Sequence, residues 1–81
     1  MISEEMLKRF DMKSLSEYKK DFGDNAETEK GFYQTFLYQT NYVNNLINEE
    51  YILGATKAQL KEKYKDILEA RAFARSKLEG I

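Results

Sequence analysis

The sequence predicts an all-α chain: an antiparallel hairpin of two long helices with two short N-terminal helices packed on it. Three observations predict this fold. Apolar residues recur at helical spacing over most of the chain. Residues able to cap a helix stand just before each periodic stretch, glycines stand near the ends of three of them, and proline is absent. Finally, only the few residues around Gly54-Ala55 separate the two longest stretches, and so short a connection makes neighbouring helices antiparallel.

Residues 1–23 read as two short helices. Ser3 can cap the first, whose opening turn carries Glu4 and Glu5 and whose Met6, Leu7 and Phe10 share a face. Ser14-x-x-Glu17 has the pattern of a capping box, in which the serine accepts from the N–H three residues on and the glutamate reaches back. From there a second helix runs to Gly23 with Leu15, Tyr18 and Phe22 inward. Residues 24–54 read as one long helix, opened by Asp24-x-x-Glu27 and closed by Gly54. At 100° per residue its Phe32, Phe36, Val43, Leu46 and Ile47 fall in one core-facing stripe. Residues 56–80 read as the second long helix, capped by Thr56-x-x-Gln59. Its Leu60, Tyr64, Ile67, Arg71, Ala74 and Leu78 form a coiled-coil-like seam with one charged member. Residues equidistant from the loop should meet, which sets Val43 near Ile67, Leu46 and Ile47 near Tyr64, Phe36 near Ala74 and Phe32 near Leu78. The aromatic and β-branched stretch from Phe32 to Val43 could pass for a strand, but its stripe and flanking caps decide for helix.

Composition excludes several functions. Eighty-one residues suit a single domain spanning 1–81, with a thin core. The chain contains neither cysteine nor histidine, which removes disulfides, thiolate nucleophiles and the common metal ligands. General acid–base work would fall to a strongly shifted Asp, Glu, Lys or Tyr. The expectation is therefore a non-enzyme with no cofactor, no metal and no small-molecule substrate. Thirteen Lys and Arg against 14 Asp and Glu give a net charge of -1, neither an acidic mimic nor a basic phosphate binder. The opening Met1-Ile2-Ser3-Glu4-Glu5 lacks the basic and apolar regions of a signal peptide, and no stretch suits a membrane span.

The feature that points to a partner is a missing one. The eighteen residues from Gly31 to Asn48 carry no charge and are rich in Tyr, Asn and Gln, whereas a solvated helix face normally carries Lys and Glu. Interface cores are depleted in charge and enriched in tyrosine. Either the outer side of this helix, around Tyr38, Asn41, Tyr42, Asn45 and Ile52, is a protein-partner or self-association face, or the N-terminal helices fold back and bury it. Arg71 in the seam faces Gln39 and Thr40, and must find acceptors there, snorkel to the hairpin edge or meet a partner. Phe73 points off the seam, to be covered by Leu15, Tyr18 and Phe22 or left as an exposed anchor.

Two other readings are weaker. The last helix carries many lysines and arginines, but Glu62, Asp66, Glu69 and Glu79 interleave with them, and Lys65 with Glu69 and Arg75 with Glu79 are i,i+4 pairs. That pattern describes a self-compensated solvated face and speaks against nucleic acid. The acidic turn Asp21, Asp24, Asn25, Glu27 fails the EF-hand pattern, because Gly23 comes third and Phe32 stands where the bidentate glutamate is due. Asp21-Phe22-Gly23 matches the kinase magnesium motif only by coincidence in so short a chain.

Phe36-Leu37-x-x-Thr40-Asn41-Tyr42-Val43, followed by Tyr64-x-x-Ile67-Leu68-x-x-Arg71-x-x-Ala74-Arg75-x-x-Leu78-Glu79, resembles small helical proteins of tailed bacteriophages and prophages, often encoded near tail genes. In those a Phe-Leu-x-x-Thr-Asp-Tyr segment precedes an Arg-x-x-Ala-Arg helix. Asn41 stands where they commonly carry aspartate, and nothing matches before residue 32. The resemblance implies a phage setting, in the virion or the host bacterial cytoplasm, and carries over no catalytic residues. The role it implies is a virion or tail accessory or assembly protein. An inhibitor of a host protein, such as a defence nuclease or the transcription machinery, is the alternative, and a nucleic-acid-binding regulator is a third.

Overall fold

A computed structural model describes residues 1–80. Its elements are α1 (Glu4–Arg9), α2 (Leu15–Phe22), α3 (Ala26–Thr40), α4 (Tyr42–Ile52), α5 (Lys57–Lys63) and α6 (Lys65–Glu79), with no strand among the described residues. The fold is all-α. The chain reverses after α4, where Gly54 has φ 109°, a conformation that costs glycine little and other residues more. The reversing segment closes on the end of α4, because the N–H groups of Leu53, Gly54 and Ala55 donate to the carbonyls of Glu49, Tyr51 and Glu50 at 3.0 to 3.1 Å.

Local chemistry explains where the helices begin. Ser3 Oγ accepts from the Met6 N–H at 3.1 Å, and Thr56 with Gln59 forms a complete reciprocal capping box. Ser14 completes only half of one: its Oγ accepts from the Glu17 N–H, but the Glu17 carboxylate takes the Ser14 hydroxyl and not the backbone N–H. The cap of α3 is Asn25 and not Asp24. Asn25 is the residue with extended backbone, and its Oδ1 accepts from the Thr28 N–H at 2.9 Å.

The core lies where α1 and α2 meet the α3–α6 half of the hairpin. Ile2, Met6 and Leu7 are buried together with Phe32, Tyr33, Phe36, Val43, Ile67, Ala70 and Ala74. Phe10 meets Phe36 edge-on at 6.3 Å, and Tyr18 meets Phe32 at 5.7 Å. Phe22, expected inward, is 64% exposed, since it follows the last turn of α2 past the edge of α3 and rests on Tyr18. The α4–α5 half projects beyond this body: of α5 only Leu60 is buried, and it stands apart from the core. The chain is accordingly elongated, 46 × 24 × 17 Å, with a radius of gyration of 14.2 Å against about 12 Å for a compact chain of this length.

Neither long helix is continuous. The first is interrupted at Asn41 and the second at Tyr64, where the backbone leaves helical values for φ -106°, ψ 16°. The interruption at Asn41 has an identifiable cause. Thr40 Oγ1 donates back to the Phe36 carbonyl at 2.8 Å, a bond that bends helices. The Asn41 N–H then bonds Tyr38 O at 3.3 Å, and the Leu37 carbonyl it would otherwise take is bonded by Arg71 Nη1 at 2.8 Å. Arg71 also donates to the Thr40 hydroxyl. A cation from α6 therefore closes the C-terminal end of α3, where the helix dipole favours positive charge.

Candidate interaction surfaces of the hairpin

Five of the seven residues singled out in the sequence come together. Tyr38, Asn41, Tyr42, Asn45 and Ile52 all lie exposed along one side of α3 and α4, with Tyr38 83% and Ile52 75% accessible. The N-terminal helices do not cover them. α2 meets α3 where the Thr28 hydroxyl donates to the Phe22 carbonyl and where Tyr18 packs on Phe32, upstream of Tyr38, and Tyr42 is touched from the N-terminal side by Phe10 at 6.2 Å.

Arg71 and Phe73 stand elsewhere. Arg71 is 4% exposed and is satisfied by Leu37 and Thr40. Burial first, and then the neighbouring Arg75, push its guanidinium below its ordinary value. Phe73 is half-buried in the core, edge-on to Tyr33 at 6.1 Å with Lys77 Nζ 5.5 Å over its ring. Phe73 is thus not a fully exposed anchor: Tyr33 packs on it, and Leu15 of α2 lines the same cavity.

A second surface carries no residue of that set except through its neighbours. Between α4 and the α5–α6 arm runs an open groove of about 370 Å³, lined by Asn44, Ile47, Asn48, Tyr51, Lys57, Leu60, Lys61 and Leu68. Its floor is apolar. One edge is Asn44 and Asn48, the other Lys57 and Lys61, and each edge pair is one helical turn apart. The i,i+4 spacing of these pairs around Ile47 and Leu60 is the sequence signal for it. That signal is masked because Lys57 and Lys61 also read as ordinary solvated lysines.

Outside the groove lining, a polar clip ties α4 to the α5–α6 arm. Lys63 Nζ and Tyr64 Oη both donate to the Glu50 carboxylate. The Lys63 bond, followed by that of Tyr64, holds Glu50 below the usual carboxylate range, while the same contacts raise Lys63 and Tyr64. For Glu50 the lowered folded value means stabilisation that is present above the unfolded carboxylate range and lost as pH falls through the folded value. Raised values for Lys63 and Tyr64 mean stabilisation lost as pH rises through theirs. Amide protection in the α4–α5 arm, taken relative to the intrinsic exchange rate at each pH, should therefore fall at both pH extremes. Glu50→Gln should abolish the acid-side change while leaving exchange in α3 unaltered.

Among the described residues no group of three or more carboxylates converges to hold a metal ion, and no helix is long and apolar enough to cross a membrane. Comparisons with family models, curated proteins and solved structures find no match to this chain.

Proposed function

We propose that this chain is a non-catalytic protein-interaction module that holds a protein partner through the outer side of α3 and α4. The single observation that carries this reading is that the uncharged stretch leaves Tyr38, Asn41, Tyr42 and Asn45 exposed on one side of the hairpin, with Ile52 exposed just beyond it. Surface tyrosines give large contact area at small entropic cost, and amides adapt their hydrogen bonds to what they meet. Nothing about the fold requires so much aromatic and aliphatic surface to face water. The setting proposed with it, on the resemblance of the Phe36–Val43 and Tyr64–Glu79 segments, is a phage particle or its assembly, with the chain as a virion or tail accessory.

Asn45→Lys tests the reading. Asn45 is exposed, so a lysine there leaves the melting temperature within about 2–3 °C of the parent chain. At an interface the same lysine is desolvated without a counter-ion, which costs several kcal/mol. The expected result is loss of partner capture from phage-infected cells, or of self-association in sedimentation, by a variant that melts normally. Unchanged capture by a folded Asn45→Lys chain would move the interface off this side.

A further inference from the structure

We propose that the groove between α4 and the α5–α6 arm is a receptor for an acidic amphipathic helix of a partner protein, on a side of α4 separate from the tyrosine-rich one; this rests on reading the chain as an interaction module. Two helices that diverge from a common body and leave an apolar trough between them lack a third helix to fill it. The trough has the features that such a helix requires. Ile47, Leu60 and Leu68 form its floor and Tyr51 its mouth. From Asn44 to Tyr51 it runs about 10 Å along α4, two turns of a bound helix. An apolar stripe spaced i, i+3 or i+4, and i+7 on the incoming helix matches that length.

Charge selects the occupant. The ion pairs among the described residues are Lys13–Asp21, Lys19–Asp24 and Lys63–Glu50, so neither Lys57 nor Lys61 is engaged. No carboxylate lines the groove. A helix with carboxylates one turn apart along one edge of its apolar stripe meets both lysines, and its other edge meets the amides of Asn44 and Asn48. A basic helix is repelled along the whole lysine edge. A second copy meeting this groove through its own groove sets one concave floor against another and one lysine pair near its twin, which fills neither trough.

The test uses the full chain and two fluorescein-labelled probe peptides of about 20 residues, long enough to hold helix. The peptides share one leucine stripe and differ only in carrying glutamates or lysines beside it. Fluorescence anisotropy at low salt should show saturable binding of the glutamate peptide, at least about tenfold tighter than the lysine peptide and weakening as salt is raised. Lys57→Glu combined with Lys61→Glu should invert that preference. Lys57→Gln with Lys61→Gln provides the neutral comparison should the reversed pair disturb folding, and should remove the preference. Tyr51→Ala should weaken the glutamate peptide. Tyr38→Ala, which alters the tyrosine-rich face without changing charge, should leave peptide binding unaltered, which separates failure here from failure of that face. Equal binding of the two peptides, no saturable binding of either, or a parent chain that sediments as a dimer broken by the lysine reversal would each overturn the proposal.

Discussion

Phe36→Ala is expected to destabilise the chain by about 3–5 kcal/mol, enough to unfold much of a domain whose total stability sits near the low end of about 5–15 kcal/mol. Phe36 is 0% exposed. It lies where α3, α6 and the chain following α1 converge, with the Phe10 ring edge-on to it and the equally buried Ala74 in the same core. Truncation removes the ring's transfer free energy and leaves a cavity that neither Ala74 nor the small Ala70 can fill. It also takes from Phe10 the surface that seats α1. Tyr38→Ala, two positions along the same helix, deletes more atoms but should cost within about 0.5 kcal/mol, because its side chain meets water in the folded chain. Urea melts of the two variants give the contrast directly. Equal losses would mean that Tyr38 is packed in solution, and would withdraw it from the proposed interface.

The predictable elements were those whose causes are local. Ser3 and Thr56 cap helices because a hydroxyl meets an N–H three residues on, a relation written in the sequence alone. At the start of α3 two adjacent residues, Asp24 and Asn25, could both do this. The choice fell to the one placed in extended backbone, which adjacency alone does not determine. Much of the hairpin register was also predictable from loop length and stripe: Arg71 bonds Thr40 as expected, and Val43, Leu46, Tyr64 and Ile67 line one pocket, although the Tyr64 hydroxyl reaches Glu50, about one turn beyond Leu46 and Ile47. The breaks in the long helices were not, for neither Pro nor Gly stands at Asn41 or Tyr64. Tyr33 escaped the periodic stripe because α3 is packed on more than one side, so its buried arc is wider than a hairpin seam. The groove escaped for a related reason: its walls belong to helices far apart in sequence, and each alone looks solvated.

The bend at Asn41 yields the second large effect. Arg71→Met keeps an unbranched apolar stem but removes the guanidinium and with it both hydrogen bonds, and the expected net loss is about 1–3 kcal/mol. Two contributions oppose each other. A guanidinium buried against neutral acceptors, with no carboxylate beside it, carries a desolvation cost that methionine relieves. Against this, hydrogen bonds from a charged donor are stronger than neutral ones, the cation lies at the C-terminal end of α3, and the Leu37 carbonyl keeps only a long 3.5 Å approach from Thr40. The second contribution wins as long as the bend persists, because a part-buried carbonyl is then left with that long approach alone. The chain has one escape, since the Asn41 N–H can return to Leu37 and join α3 to α4 as one helix, displacing α4 from its seat over Ile67 and Tyr64. Arg71→Met should therefore both lower the melting temperature and slow amide exchange at Asn41 relative to its neighbours in α4. Thr40→Val should couple to it in a double-mutant cycle, because the two side chains act on one turn. A variant with parental melting and parental exchange at Asn41 would show that the Thr40 back-bond alone holds the bend.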